Sequence, residues 1–168
     1  MGEVAARPVL LADADVLIDY VRSDPRVLRL VAEHIGPVKI LRQVLDTVDQ
    51  LSEADCRELA LEIVDLPTET LLEAGQGSGA LSFEDRLCLL ACKANGWTCI
   101  SNDRVLIRSC DAEGIPFRRG LRLMVDLVAG GHITKQRALR VASAIHAANP
   151  YHINEDVLSA FNEALEAV

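Results

Sequence analysis

Short apolar runs alternate with helix-like stretches over the first two-thirds of the chain. Four runs are rich in Leu, Val, Ile or Cys, and a shorter one follows them; each is bounded by Pro, Gly or a polar residue, which is typical of buried strands. The predicted strands are residues 8–12, 38–41, 62–66, 97–101 and 115–118. A continuous apolar run, rather than an alternating one, favours a strand covered on both faces.

Helices are predicted between these strands by their capping residues. Asp24 precedes Pro25 as a helix start, Ser52 and Asp55 have capping-box spacing, and Gly96 follows an amphipathic segment. The predicted helices cover residues 25–34, 42–61 (one or two helices), 69–74, 82–95 and 103–113. Strands that alternate with helices predict an α/β fold of three layers, α/β/α, with a central parallel sheet.

Beyond Gly120 the pattern becomes helical only. Apolar residues recur at helical spacing, and Gly130-Gly131 and Asn149-Pro150 separate three candidate helices at 121–129, 134–148 and 154–167. We therefore expect an α/β unit over residues 1–120 and a helical C-terminal extension over 121–168 that packs on the same domain.

Composition and charge limit the class of protein that the chain can be. Half of the 168 residues are hydrophobic, enough for a full core, but the apolar runs are too short to cross a membrane, so a cytoplasmic protein is expected. The five cysteines form no CxxC pair and are interpreted as buried thiols. A net charge of −8 argues against a nonspecific nucleic-acid coat. A local basic group remains, and it is predicted to hold a substrate backbone: Arg104, Arg108, Arg118, Arg119 and Arg122.

Three acids occupy positions where chemistry is expected. Asp13 and Asp103 each follow a predicted strand, and Asp85 lies at the start of the helix that leads into the fourth strand. Ligands of open parallel sheets bind beyond the carboxyl ends of the strands, so these acids are expected at one edge. Clustered carboxylates repel one another and suit a hard divalent cation such as Mg²⁺, which catalyses phosphoryl chemistry.

Local structure offers another explanation for each acid. Asp13 can be a turn residue, Ser82-x-x-Asp85 matches a capping box, and Asp103 can favour the positive end of its own helix. Each explanation is adequate for one residue alone. The coincidence of three at one predicted edge favours a site.

Three segments resemble motifs of the PIN-domain nucleases. Residues 11–19 (Leu-Ala-Asp-Ala-Asp-Val-Leu-Ile-Asp) look like the opening strand and turn, 81–85 (Leu-Ser-Phe-Glu-Asp) like the Leu-Ser-x-x-Asp motif, and 101–106 (Ser-Asn-Asp-Arg-Val-Leu) like the Thr-Asn-Asp motif with Ser for Thr. The resemblance covers about residues 8–119, and the helical tail is similar to that of longer prokaryotic members.

The resemblance implies a Mg²⁺- or Mn²⁺-dependent endoribonuclease. Many such proteins are toxins of VapC type, so an RNA substrate, an antitoxin partner and a homodimer are expected. Asp13, Asp85 and Asp103 become catalytic metal ligands, and Ser101 and Asn102 support the site. Arg104 and Arg118 are the residues expected to contact the substrate.

One position departs from the family pattern. The Glu usual in a Val-Leu-x-Glu-Val context is Thr47 here, within residues 44–48 (Val-Leu-Asp-Thr-Val). Asp46 is the candidate replacement but points about 100° away around a helix, and Asp49 lies further round. The first alternative is therefore a PIN-like RNA- or protein-binding module with weakened catalysis.

A second alternative is a phosphatase of the haloacid dehalogenase type. It is motivated by Asp13-x-Asp15, in which Asp13 would be the nucleophile. That class also needs a lysine at the site, and the chain has only Lys39, Lys93 and Lys135, none at a convincing strand end.

Overall fold

A five-stranded, all-parallel sheet forms the centre of the protein. The computed structural model describes residues 5–168. The strands are β1 Leu10–Ala12, β2 Val38–Leu41, β3 Leu61–Val64, β4 Thr98–Ile100 and β5 Phe117–Arg118, in the spatial order β3-β2-β1-β4-β5. Every residue of β1 is buried, as expected of a central strand with both faces covered.

Helices follow the strands and continue into the C-terminal part. They are α1 Ala14–Ser23, α2 Arg26–His34, α3 Arg42–Leu45, α4 Glu53–Glu58, α5 Thr68–Gly75, α6 Phe83–Asn95, α7 Arg104–Ala112, α8 Arg122–Ala129, α9 Lys135–Ala148 and α10 Glu155–Glu166. The predicted α/β class with a parallel sheet flanked by helices is confirmed.

The order of the strands fixes one special point at the carboxyl edge. From β1 the chain adds β2 and β3 on one side, then crosses to add β4 and β5 on the other. The strand order therefore reverses between β1 and β4, which pair in parallel with Ala12 opposite Ile100. Such a switch point leaves a crevice beyond the strand ends, where open α/β sheets bind ligands.

Two local expectations differ from the structure. The sequence patterns predict no helix between Asp13 and Asp24, yet α1 fills that stretch, and Asp13 caps its first turn. Asp24 was predicted to cap the next helix, but Pro25 occupies the N-cap position of α2. The Asp24 carboxylate instead accepts a 2.8 Å hydrogen bond from Arg137 of α9, because a long-range ion pair competes successfully with the local cap.

The C-terminal helices lie against the α/β part. Helix α9 contacts α1, α8 contacts α2, and α10 contacts both α8 and α9. Their buried residues, among them Leu127, Ile145 and Phe161, join the same hydrophobic cluster as the sheet. The Tyr20 hydroxyl donates a 2.6 Å hydrogen bond to the Gly120 carbonyl, which fixes the point where the extension begins.

The five cysteines are buried free thiols, as the sequence analysis expected. Within residues 5–168, every helix is too short or too polar to span a lipid bilayer.

Candidate functional site

The switch point carries a buried carboxylate. Asp13 follows β1 directly and begins α1, and its backbone N–H donates a 3.1 Å hydrogen bond to Ile100 at the end of β4. Its Oδ1 accepts a 3.0 Å bond from the Val16 N–H, which caps the helix. Only 4 % of Asp13 is exposed to solvent, so this acid lies in the floor of the crevice.

Ser101 links this acid to the next one. Its hydroxyl donates a hydrogen bond to Oδ2 of Asp13 and accepts a 3.0 Å bond from the Asp103 N–H. Ser101 is fully buried at the end of β4. One hydroxyl therefore sets the position of Asp13 relative to the loop that carries Asp103. The support of a metal site by Ser101 stays a prediction.

Asp103 begins α7. Its Oδ1 accepts bonds from the N–H groups of Val105 (2.8 Å) and Leu106 (3.0 Å), as an N-cap residue does. Within residues 5–168, Oδ2 of Asp103 has no hydrogen-bond partner. One oxygen of this carboxylate thus serves the helix, and the other is available for a ligand.

Asp85 reaches the same edge from another direction. It is the third residue of α6, and its N–H donates a 3.1 Å bond to the Ser82 hydroxyl. The pKa of Asp85 is raised, mainly by burial, and the charges of Asp103 and Asp15 raise it further. Asp85 therefore lies within electrostatic range of Asp103 and also of Asp13, because its charge raises the pKa of Asp13.

Burial makes Asp13 more than a helix cap. It raises the pKa of Asp13 to about 7, against the opposing hydrogen bonds from Ser101 and Val16, and the charges of Asp15 and Asp85 add to the rise. Asn or Ser would cap α1 equally well without a charge. A bound cation would offset the cost of ionising this buried carboxylate.

No preformed metal cage is present in the described part of the chain. Among residues 5–168, no three His, Cys, Asp or Glu side chains form a group arranged to hold a metal ion. Mg²⁺ does not need such a cage, because it keeps several waters and binds through one or two carboxylates plus substrate phosphates. The hard oxygen donors at this edge fit that mode, and the set Asp13, Asp85 and Asp103 stays a prediction.

A second polar network lies beside the acids, and sequence reasoning missed it. Asp19 is buried and accepts hydrogen bonds of 3.1 and 3.4 Å from the Asn149 side chain, and the Asn102 amide lies 3.5 Å away. Burial raises the pKa of Asp19 to about 6; the Asn149 bond opposes this rise and the charge of Asp15 adds to it. His152 lies 3.6 Å from Asp15.

A helical reading of residues 14–23 would have found part of this network, because Asp15 and Asp19 are four residues apart on one helix face. Nothing in the sequence marks Asn149 or His152 as neighbours of these acids. They arrive there because α9 packs on α1.

Asn102 has a positioning role. It is buried, and its Oδ1 accepts a 2.9 Å bond from the Gly120 N–H. A Cβ atom at Gly120 would lie only 3.0 Å from the Asn102 amide nitrogen. Asn102 therefore joins the end of β4 to the start of the extension through a close backbone approach that favours glycine.

The region around Thr47 contributes little to the crevice. Helix α3 is a single turn, and Asp46, Thr47 and Asp49 that follow it are all exposed. The Thr47 hydroxyl donates a 2.7 Å bond to the Val44 carbonyl, so it is occupied locally. The charges that raise the pKa of Asp13 come from Asp15 and Asp85, not from this turn.

Most of the predicted basic group borders one groove. A cavity of about 600 Å³ lies between α7, α8 and α10, with Val125, Val157 and Phe161 among its apolar lining. Four arginines line it: Arg104, Arg108, Arg119 and Arg122. Arg118 lies outside this lining, and its guanidinium is ion-paired with Asp126. The same carboxylate lies 3.7 Å from the Arg122 guanidinium.

The fold and these residues define an open parallel α/β protein with an acidic cluster at its switch point. Comparison with protein-family models and with curated proteins finds no significant match to this chain.

Proposed function

We propose that this protein is a PIN-like endoribonuclease that depends on Mg²⁺ or Mn²⁺. The observation that carries the proposal is the buried Ser101 hydroxyl, which joins Asp13 to the Asp103 loop at the switch point. A structural cap needs no such bridge between two strands. The resemblance of the sequence motifs extends the proposal to a toxin that pairs with an antitoxin and forms a homodimer.

The residues of the proposed site divide into cation ligands and a supporting hydroxyl. Asp13, Asp85 and Asp103 would hold the cation, and Ser101 keeps two of them in register. When bound, the cation supplies an activated water and offsets charge on the phosphate. The N-terminus of α7 lies at the same edge. The Asp103 carboxylate already accepts from its Val105 and Leu106 N–H groups, so the helix favours an anionic substrate through its dipole.

The arginines supply the substrate contact that the overall charge lacks. The chain has a net charge of −8, so an RNA backbone would be repelled by most of the surface. Arg104, Arg108, Arg119 and Arg122 outnumber Asp156, which also lines the groove, and the resulting positive charge attracts phosphates. Arg118 is less suited to this task because it lies outside the lining and its guanidinium pairs with Asp126.

A second candidate is a PIN-like binding module with weakened catalysis. The specific observation in its favour is Thr47, an exposed residue whose hydroxyl bonds its own turn where a further acid would be expected. The phosphatase alternative gains no such support, because Lys39 is paired with Glu62 and Lys93 with Glu113.

Calorimetric titration of Mn²⁺ and Mg²⁺ tests the proposal, with RNA cleavage assayed on the same samples. We expect the wild type to bind and cleave, and Asp103→Asn to lose both; Asn still caps α7, so the fold is retained. Asp49→Asn, an exposed acid outside the cluster, is the matched control. Metal binding without cleavage by the wild type favours the weakened module. Absence of binding at millimolar metal contradicts the metal-dependent nuclease.

A further inference from the structure

A small polar cavity adjoins the Asp103 side of the acidic cluster. It measures about 250 Å³. One wall is the segment after β4, with Asn102, Asp103 and Arg104, and the other is the loop between α9 and α10, with Tyr151, His152 and Asn154. The helical extension therefore brings its own side chains to the proposed site.

Tyr151 is the unusual member of this cavity. Its exposed fraction is 85 %, the highest of any large hydrophobic residue in the described part of the chain. An isolated exposed tyrosine needs no explanation, but this ring borders the cavity that contains Asp103. Its position next to the acids is what makes the exposure informative.

The loop that carries Tyr151 is fixed on both sides of the ring. Asn149 donates two hydrogen bonds to the buried Asp19. Ile153 is fully buried, and its N–H donates a 3.0 Å bond to the Asn149 carbonyl. The His152 ring meets Tyr151 edge-on at 4.9 Å. The backbone on both sides of Tyr151 is thus anchored, and its ring contacts His152 while most of its surface stays open to a ligand.

We propose that Tyr151 is a stacking platform for a nucleobase of single-stranded RNA, next to the phosphate held at the acidic cluster. Bases stack on exposed aromatic rings with little sequence preference. Arg104, which lines both this cavity and the larger arginine groove, takes the adjoining phosphate. This inference rests on the proposed function, because it names how the substrate of that site is bound.

Binding of a fluorescein-labelled, ten-nucleotide RNA of mixed sequence tests the platform. Fluorescence anisotropy is measured with Ca²⁺ in place of Mg²⁺, and a gel checks that the RNA stays intact. We expect Tyr151→Ala to weaken binding about tenfold, the size of one stacking contact. Tyr151→Phe keeps the ring and should bind as the wild type does. A base-free ribose-phosphate decamer should bind wild type and Tyr151→Ala equally.

Kinetics separate this inference from the proposed function. In Mg²⁺, Tyr151→Ala should raise KM for RNA about tenfold and leave kcat unchanged, since the ring holds the substrate and lies outside the acids. Cleavage by the wild type with equal RNA binding by Tyr151→Ala overturns the platform and leaves the nuclease standing. Tyr151-dependent binding with no cleavage overturns the nuclease only. Failure of the wild type to bind the decamer overturns the platform.

Discussion

On one side of β1, strand β4 is followed by three polar residues whose side chains are all bonded. Ser101 bonds to Asp13, Asn102 to Gly120 at the start of the extension, and Asp103 to the first turn of α7. On the other side, β2 runs into the one-turn helix α3, after which Asp46, Thr47 and Asp49 face solvent. Both segments follow strands that pair with β1. They differ in how many of their polar groups are held by the rest of the protein.

The difference shows what turns a strand end into a candidate site. Beside β4, side chains are fixed by bonds that span many residues of sequence, as between Ser101 and Asp13. Beside β2, the long-range bonds of Arg42 to Asp65 and Glu53 lie at the exposed surface. The turn that follows makes a local bond, from Thr47 to Val44. Burial and long-range bonds preorganise charges, which is what electrostatic catalysis requires. The proposed chemistry is therefore assigned to the β1–β4 side.

The largest effect is expected on the rate of RNA cleavage, from a substitution on the β1–β4 side. Asp13→Asn should reduce the rate of RNA cleavage at saturating Mg²⁺ by about 100-fold or more, because the buried charge that holds the cation is lost. The matched change on the other side, Asp46→Asn, should leave the rate within about twofold. Single-turnover cleavage measures both, with circular dichroism as the check on folding. Equal losses would show that the two sides share the site.

Local patterns in the sequence predicted the strands on both sides of this comparison. The apolar runs and caps gave the parallel strands, and the positions of Asp13 and Asp103 after strands placed both at the carboxyl edge. Those inferences succeed because strand direction and capping depend on neighbouring residues. Some predicted strands are longer than the observed ones, such as 97–101 against Thr98–Ile100.

The contacts brought by the extension could not be predicted in the same way. Asn149 lies 130 residues from Asp19 in sequence, and only the packing of α9 on α1 joins them. Asp24 was misassigned for a related reason, since its partner Arg137 lies on α9. Pairings at such separation leave no periodic trace in a single sequence.

The second prediction concerns metal affinity on the β2 side, at Thr47. If the weakened-module alternative holds, Thr47→Glu restores a missing acid and should raise Mn²⁺ affinity about tenfold, the lower end of what one supporting carboxylate contributes to a metal site. The exposed position tolerates a longer side chain, and only one local hydrogen bond is lost. Calorimetric titration measures the affinity, and Thr47→Gln, of equal length but uncharged, is the control. An unchanged affinity would remove this turn from the metal site and with it the reason for the weakened-module alternative.

The smallest effect concerns stability without metal. The folded-state pKa of Asp13, about 7, exceeds its ordinary value of 3.8. The stabilisation from the protonated form is therefore complete below about pH 4 and lost as the pH rises through 7.

Asp13→Asn removes this dependence. At pH 8 its free energy of unfolding should exceed that of the wild type by about 1 kcal/mol, because the cost of the buried charge is removed. The gain stays small because Asn keeps the cap but loses the charged acceptor for Ser101. At pH 4 the two proteins should be equally stable. Urea unfolding in EDTA at both pH values measures the difference. The exposed Asp46→Asn should show no such change between them. If Asp13→Asn is less stable at pH 8, the Ser101 bond outweighs the cost of the buried charge, and Asp13 is a structural cap more than a group that awaits a cation.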